Sequence, residues 1–322
     1  MPQPSVTLLL VVLALALGFA GCSRLAESRE ESWEAAHPPV GRLIEIEGRQ
    51  VHVLEAGQPQ GTAPDIVLIH GANGNLRGFT FDLVNRLAPD WRVIAVDRPG
   101  LGWSDSWGDA DSDPRFQARV LRRAVAELGV ERPVVLGHSY GGAVALAWAL
   151  EAEAETAALV LLSPASHPWP GDLGLWYRIN ETPLGRAGRA LIAALTPTAL
   201  AERVVADVFE PDPMPPGYAE HFGTGLALRR GSQEVNTRQV NALLDHVTEM
   251  QAGYPALTLP IEVVHGTADT IVGLHLHSER LADDVASVNL TVIEAGGHMP
   301  HHTHPDVVLG AIDRAARRAG LR

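Results

Sequence analysis

Short apolar runs alternate with segments of helical spacing through the first half of the chain. The runs are of strand length and lie at residues 66–69, 92–96, 133–136 and 159–162. The helical spacing occurs at residues 79–87, 115–128 and 141–150. Strands that are apolar on both faces are typical of a parallel sheet covered by helices on both sides. The pattern therefore predicts an α/β protein.

Further strands are predicted on both sides of this region. Two alternating stretches within residues 43–54, joined by Gly48 and Arg49, indicate a β-hairpin. Strand-like pattern resumes at residues 261–265 and 289–293, and a last helix ends the chain. Together the patterns predict one mostly parallel sheet of eight strands.

A long stretch between the predicted sixth and seventh strands interrupts the alternation. Residues 164–258 are rich in Pro and Gly and show helical patches but no convincing strand. We expect a helical lid there, inserted into a core formed by residues 41–163 and 259–322. The aromatic residues of the stretch weakly favour an apolar acyl or aromatic substrate: Trp169, Trp176, Tyr177, Phe209, Tyr218, Phe222 and Tyr254.

The N-terminal segment has the pattern of an export signal. Residues 8–20 form an apolar run broken only by Gly18, shorter than the ~20 residues that a membrane span needs. Residues 19–22 resemble the end of a bacterial lipoprotein signal, in which Cys22 would be lipidated and become the mature N-terminus. Cys22 is the one cysteine of the chain, so no intramolecular disulfide can form.

Three interpretations of this segment stay open. In the first, residues 1–22 are a lipoprotein signal. In the second, they are an uncleaved anchor or an ordinary secretion signal. In the third, they result from a misassigned start codon. The first two place the protein in the bacterial cell envelope, lipid-anchored or otherwise exported, with a membrane as its partner. Residues 23–40 are then expected to be a tether between membrane and domain.

The charge of the chain excludes one class of partner. The formal net charge is −13 over 322 residues. Binding to nucleic-acid phosphates needs clustered Lys and Arg, so we expect no nucleic-acid partner. The sequence leaves the oligomeric state open.

A G-x-S-x-G match follows a predicted strand and opens a predicted helix. It spans residues 137–141 and centres on Ser139. A tight reversal between strand and helix needs flanking residues without side chains, and it leaves the serine hydroxyl exposed in a strained turn. The helix N-terminus favours developing negative charge. Ser139 is therefore the predicted nucleophile.

A serine hydroxyl needs a base, and the base needs an orienting acid. His298 follows the last predicted strand, after Gly296 and Gly297, which permit a sharp loop. Asp269 follows the preceding strand, 29 residues before His298, which gives the chain order Ser, Asp, His. We expect His298 to be the base and Asp269 its orienting carboxylate.

The neighbouring histidines suggest an alternative, a metal site. The residues concerned are His301, His302 and His304. No acidic or cysteine residue joins them at ligand spacing, so we interpret them as a solvated start to the last helix and expect no metal.

An oxyanion needs two donors aimed at it. One is expected to be the backbone N–H of Tyr140, directly after the nucleophile. The other is expected from the glycine-rich loop at residues 70–75, most simply the N–H of Ala72. His70 is expected to brace that loop. Asp97 and Ser104, in the segment after the next strand, are expected to be structural.

Together these motifs resemble the α/β-hydrolase superfamily. The resemblance rests on His70-Gly71, residues 97–105, residues 137–142, Asp269 and His298, and it covers residues 41–320. It is nearest to the capped branch of esterases, meta-cleavage-product hydrolases, cofactor-free haloperoxidases and epoxide hydrolases. Epoxide hydrolases and haloalkane dehalogenases carry Asp at the position of Ser139, so those two chemistries are disfavoured. The resemblance implies the α/β-hydrolase fold and no metal or organic cofactor.

The expected activity is hydrolysis of a small or medium apolar carboxylic ester through an acyl-enzyme. Activity should fall at acidic pH as His298 becomes protonated. Hydrolysis of a C–C bond, lactone, amide or thioester stays open, as do acyl transfer to an alcohol and a catalytically silent ligand-binding protein. The choice of substrate is expected to depend on the lid, and the sequence does not identify which lid residues determine it.

Overall fold

The computed structural model describes residues 4–171 and 182–322, without the side chains of residues 4–17, 19, 183, 184, 186 and 187. The strands have the following bounds: β1 Arg42–Ile46, β2 Arg49–Gly57, β3 Asp65–Ile69, β4 Arg92–Val96, β5 Val134–His138, β6 Ala158–Leu162, β7 Ile261–Gly266 and β8 Val288–Ile293. Each predicted strand is present. The hairpin turn differs by one residue, because Glu47 and Gly48 take its positive φ angles of 52° and 74°.

The eight strands form one sheet in the order β1-β2-β4-β3-β5-β6-β7-β8. Strand β2 is antiparallel to both of its neighbours, and the other neighbouring pairs are parallel. The predicted mostly parallel sheet of the α/β-hydrolase fold is therefore confirmed. Because parallel strands end at the same edge, the loops after β3, β5 and β7 meet on one side of the sheet.

Helices cover both faces of the sheet and account for its continuous apolar runs. Their bounds are α1 Pro4–Ala36, α2 Arg77–Thr80, α3 Leu83–Leu87, α4 Pro114–Ala126, α5 Tyr140–Ala152, α6 Pro183–Leu195, α7 Thr198–Asp207, α8 Tyr218–Phe222, α9 Thr224–Leu228, α10 Arg230–Met250, α11 Ser278–Asp284, α12 Pro300–Thr303 and α13 Pro305–Arg318. Alternate strand residues face opposite ways, so Val67 packs towards α4 and α5 while Leu68 packs towards α3 and α13.

The region between β6 and β7 is mostly helical in residues 182–260 and irregular in residues 163–171. It contains α6 to α10, and no strand is found in residues 163–171 or 182–260. This agrees with the helical patches seen in the sequence. The domain boundaries at residues 164 and 258, and the action of these helices as a lid, stay predictions.

Residues 23–36, expected to belong to a tether, are part of helix α1 and lie against the inserted helices. The Arg29 guanidinium donates to the carbonyl oxygen of Ala194 at 2.8 Å. Glu30 pairs with Arg230 at 2.8 Å. The charged residues that suggested a solvated linker are thus partners for groups about 165 to 200 positions away.

Within the part of the chain that the structure describes, we find no helix with both the length and the apolar character that a membrane crossing needs.

A buried carboxylate fastens α13 to β7. Glu262 is fully buried and accepts hydrogen bonds from Arg314 Nε at 2.9 Å, Arg318 Nη1 at 2.8 Å and Asn289 Nδ2 at 2.7 Å. Because these three donors satisfy the carboxylate, removing its charge weakens the attachment of the last helix.

We predict that Glu262→Gln lowers the free energy of unfolding by about 2 kcal/mol, since it leaves two arginines without their buried counter-charge. Chemical denaturation measures the change. Arg317→Ala is the matched control on the same helix, because its partner Asp313 is exposed and the pair is expected to contribute less than about 1 kcal/mol. Equal losses in the two variants would contradict the role of Glu262.

Candidate functional site

Ser139 lies between β5 and α5 in a strained turn, as expected from the motif. Its φ and ψ are 54° and −118°, a conformation that non-glycine residues rarely adopt. Its backbone N–H donates to Leu162 O at 2.9 Å, which helps to hold the turn. A Cβ on Gly137 would lie 2.3 Å from Gly141 O, and one on Gly141 would lie 2.2 Å from Ile69 O. Both glycines are therefore required by close backbone contacts.

His298 and Asp269, the predicted base and acid, are hydrogen-bonded. His298 Nδ1 lies 2.7 Å from Asp269 Oδ2. The other carboxylate oxygen accepts the backbone N–H groups of Ile271 and Val272, both at 2.9 Å. Burial raises the pKa of Asp269, but hydrogen bonds from His265 and His298 lower the pKa by a larger amount. The net pKa of Asp269 therefore lies well below its ordinary value. The ionised carboxylate keeps the proton on His298 Nδ1 and leaves Nε2 free to accept one.

The loop that carries His298 is held by a residue that the sequence analysis did not single out. His138, directly before the nucleophile, donates from Nε2 to the backbone oxygen of His298 at 2.9 Å. The left-handed residue of the loop is Ala295, with φ 56°, rather than one of the two expected glycines. Gly297 serves a close approach instead, because a Cβ there would lie 2.5 Å from Glu210 O.

The loop after β3 comes next to the nucleophile, as expected. A Cβ on Gly71 would lie 3.0 Å from the Cβ of Ser139. Ala72 lines the same cavity as Ser139. The backbone N–H of Asn73 donates to Asn236 Oδ1 on α10 at 2.6 Å. The inserted helices therefore take part in holding the loop.

Arg98 is a fully buried cation that braces this loop, and the sequence analysis missed it. It donates to the carbonyl oxygens of His70 and Gly71 at 2.9 and 3.0 Å, and its backbone N–H donates to His70 Nε2 at 3.0 Å. Its guanidinium lies 4.2 Å from the ring centroid of Tyr140. Burial lowers the pKa of Arg98 to about 10, so it stays charged at neutral pH. The sequence feature that could have indicated this role is the position of Arg98 two residues after the end of strand β4.

His70 is neutral and hydrogen-bonded to backbone on both ring nitrogens. Its Nδ1 donates to Gly71 O at 2.9 Å, and its Nε2 accepts from Arg98. Burial lowers the pKa of His70 to about 4, and the nearby Arg98 charge adds to this effect. Its contacts are those of a residue that shapes the loop.

Asp97 and Ser104 lie behind the site. Asp97 is buried and accepts from His52 Nδ1 at 2.6 Å and from the backbone N–H groups of Leu76 and Trp103 at 2.7 and 2.8 Å. Ser104 Oγ donates to Asp97 O at 2.7 Å. Among the described residues neither belongs to the cavity wall.

A cavity of about 550 Å³ joins these parts. Part of its wall is formed by Ser139, His138, His298 and the loop at residues 70–75. Its remaining wall is largely apolar and comes mostly from the inserted helices: Phe79, Ile192, Leu200, Val204, Val205, Val208, Phe209, Phe222, Leu228 and Met299. Of the aromatic residues noted in the sequence, Phe209, Tyr218 and Phe222 line the cavity, whereas Trp176 and Tyr177 lie outside the described residues.

Of the three histidines after His298, only His304 is half-buried directly before the last helix, whereas His301 and His302 are not at a solvated helix start, contrary to expectation. His301 is buried, and His302 lies among the rings of Phe81, Phe209 and Tyr218. The expectation failed because these rings come from distant segments. Among the described residues no group of three or more His, Cys, Asp or Glu side chains has a geometry that could hold a metal ion.

These rings form a row that continues from the base. Ring centroids are 4.8 Å apart for His298 and His138, 4.7 Å for His138 and His301, and 4.1 Å for His301 and His302. Burial lowers the pKa of His138 to about 3 and that of His302 to about 4, and it holds the pKa of His301 well below its ordinary value. These three imidazoles are therefore neutral at working pH.

The low pKa values make the fold sensitive to acid. The pKa of a histidine in the unfolded chain is about 6.5, so between pH 6.5 and about 4 the unfolded chain binds protons that the folded chain does not. The free energy of unfolding should therefore fall with decreasing pH, by about 1.4 kcal/mol per pH unit for each such histidine. We predict that His302→Phe removes the contribution of one histidine to this slope, about 1.4 kcal/mol per pH unit. Denaturation curves measured from pH 7 to 5 test the prediction, and equal slopes in the two proteins would contradict a neutral His302 in the folded chain.

A strained serine and a histidine–carboxylate pair on one cavity are typical of enzymes that hydrolyse through a serine nucleophile. Residues 64–305 match the family model described as the alpha/beta hydrolase fold. This match spans most of the chain, and the chain belongs to that family.

Several relatives with a named activity are hydrolases. An uncharacterised protein of Mycobacterium tuberculosis is 27% identical over 284 residues, covering 84% of this chain and 80% of the relative. A 2-hydroxymuconate semialdehyde hydrolase of Pseudomonas putida is 28% identical over 274 residues, covering 84% and 91%. The solved enol-lactonase of Burkholderia xenovorans superposes with a TM-score of 0.68 at 19% identity, covering 86% and 100%, and supports the fold alone. The chain is a hydrolase of this fold.

Proposed function

We propose that the chain is a serine hydrolase that works through an acyl-enzyme formed on Ser139. The observation that carries the proposal is the 2.7 Å hydrogen bond between His298 and Asp269, at the cavity that Ser139 also lines. An ionised Asp269 fixes the tautomer of His298 that can accept the serine proton, which a lone histidine would not guarantee.

The cycle has two halves. The Ser139 oxygen attacks the substrate carbonyl carbon while His298 Nε2 takes the serine proton. His298 then gives that proton to the leaving alcohol as its C–O bond breaks, and the acyl group stays on Ser139. Water attacks the acyl-enzyme with His298 again as base, which releases the acid and restores the serine.

In this proposal, two backbone donors stabilise the negative charge on the oxygen of each tetrahedral intermediate. They are the N–H groups of Tyr140, the first residue of α5, and of Ala72 in the braced loop. Pre-positioned donors stabilise the oxyanion because they need no reorganisation during the reaction. The buried Arg98 supports both sides, since it binds the carbonyls of the loop and lies against the Tyr140 ring.

We propose a carboxylic ester with a small or medium apolar acyl part as the substrate. The largely apolar wall of the 550 Å³ cavity supports this choice. The helices α6 to α10 supply much of that wall and would act as the lid. The name of the P. putida relative favours a second candidate, hydrolysis of a C–C bond in a ring-cleavage product, by the same three residues.

The proposal is tested with a series of p-nitrophenyl esters from acetate to decanoate. We predict that Ser139→Ala reduces kcat by about 10³-fold or more, because the nucleophile is lost while the fold is kept. The chain length with the highest kcat/KM then measures the acyl pocket. Arg317→Ala, whose side chain is exposed on α13, serves as a control for handling of the protein.

A fluorophosphonate probe separates the remaining outcomes. Covalent labelling of wild type but not of Ser139→Ala, without ester turnover, would point to the C–C, lactone, amide or acyl-transfer alternatives. Neither labelling nor turnover in folded protein would contradict a serine nucleophile and favour a silent ligand-binding fold.

We propose further that the protein is exported and held at the cell envelope by a lipid on Cys22. The apolar run at residues 8–20, followed by small residues and Cys22, supports this. A chain that begins at Cys22 keeps the part of α1 that contacts α6, because Cys22 packs near Ala26, Ala193 and Ala194.

Metabolic labelling in a bacterial host with radioactive palmitate tests the attachment. We predict that the full-length chain incorporates the label and that Cys22→Ser does not, because the thiol is the acceptor. An unlabelled wild-type chain of full mass in the membrane fraction would favour an uncleaved anchor instead. Recovery in the soluble cytoplasmic fraction would contradict export.

A further inference from the structure

Two neighbouring helices expose large apolar side chains to solvent. On α6, Leu191 and Leu195 have 42% and 59% of their surface exposed; on α7, Leu200 and Val204 have 52% and 58% exposed. Each pair is spaced four residues apart, so each forms one face of its helix. We call these four residues the mouth patch.

Two residues of the mouth patch, Leu200 and Val204, lie at an entrance to the cavity. Leu200 and Val204 are more than half exposed and also line the cavity wall, so the cavity reaches the surface between them. Ile192 and Thr196, next to the exposed leucines of α6, line the cavity too. A substrate that enters here passes the apolar patch before it meets Ser139.

Helix α1 extends the same apolar surface. It lies along α6, where Ala26 packs against Ala193 and Ala194, and it exposes Leu25 by 46%. Farther along this helix towards its N-terminus comes the apolar run of residues 8–20. An apolar phase that receives that run, or the lipid proposed on Cys22 in a chain that begins there, therefore lies close to the mouth patch, because Cys22 packs near Ala193 and Ala194 on α6.

An exposed cluster of this kind is costly in water and marks a docking surface. We propose that the mouth patch docks on the surface of a lipid bilayer, so that the cavity opens towards the bilayer and takes its ester from it. The continuity with the apolar run favours lipid over a protein partner. The net charge of −13 makes the contact hydrophobic rather than electrostatic, because anionic lipid would repel the chain. Uptake of an ester rests on the proposed function, whereas the contact with lipid does not.

The contact is tested first, without any activity measurement. Full-length protein is mixed with neutral phosphatidylcholine vesicles, and hydrogen–deuterium exchange is followed with and without them. We expect slower exchange in peptides covering residues 190–205 and no change in peptides of β1 and β8, which carry the exposed residues Leu43 and Val292. Unchanged exchange at residues 190–205 would overturn the proposal.

The variant Leu191→Gln/Leu195→Gln tests the route of the substrate. Neither residue lines the cavity in the part of the chain that the structure describes, and both are exposed, so the fold and the basal site are left intact. The rates compared are those for p-nitrophenyl acetate in water and p-nitrophenyl decanoate dissolved in the vesicles. We expect the decanoate rate to fall about tenfold or more and the acetate rate to stay within about twofold, because less apolar area meets the bilayer. Leu43→Gln/Val292→Gln is the matched control and should change neither rate.

The remaining outcomes are distinct. If wild type hydrolyses neither ester but residues 190–205 are still protected by vesicles, the ester function fails and the lipid contact stands. Sedimentation without lipid compares the oligomeric states. If wild type is a dimer and the patch variant is a monomer, a second copy of the chain covers the patch and the proposal is overturned. An equal fall of both rates in the patch variant would also overturn the route from the bilayer.

Discussion

The site depends on one close backbone approach at the edge where β3 and β5 end side by side. The backbone of Gly141 lies against the carbonyl oxygen of Ile69, and even a methyl group would lie 2.2 Å from that oxygen. Because the two strands are parallel neighbours, this contact brings the turn that carries Ser139 against the loop that carries Ala72. The nucleophile and one proposed oxyanion donor are thus set by the same packing.

Buried polar contacts then fix the loops that apolar packing alone would leave adjustable. Arg98 binds two carbonyl oxygens of the loop after β3, and His138 joins the strand of the nucleophile to the backbone of His298. Such contacts are strong in a low-dielectric interior when every member is satisfied. The contact of His138 also makes the fold sensitive to acid, since its imidazole must stay neutral for the folded chain to persist.

The apolar wall of the cavity and the exposed mouth patch come from the same helices, α6 and α7. One face of these helices lines the space in front of Ser139, and another lies in solvent beside α1. A helix that is apolar on more than one face is normally buried or in contact with lipid. The proposed bilayer contact and the proposed apolar substrate therefore draw on one property of this segment.

The sequence by itself determined the strands, the turn at Ser139 and the candidates His298 and Asp269, because apolar runs and local turn requirements are written in neighbouring residues. Only the tertiary structure decided the aromatic surroundings of His302, the docking of residues 23–36 and the bracing by Arg98. Their partners lie far away in sequence, the Glu30–Arg230 contact spanning 200 positions. A charged or imidazole side chain looks solvated in sequence until folding supplies the groups that surround it, and no local pattern encodes those groups.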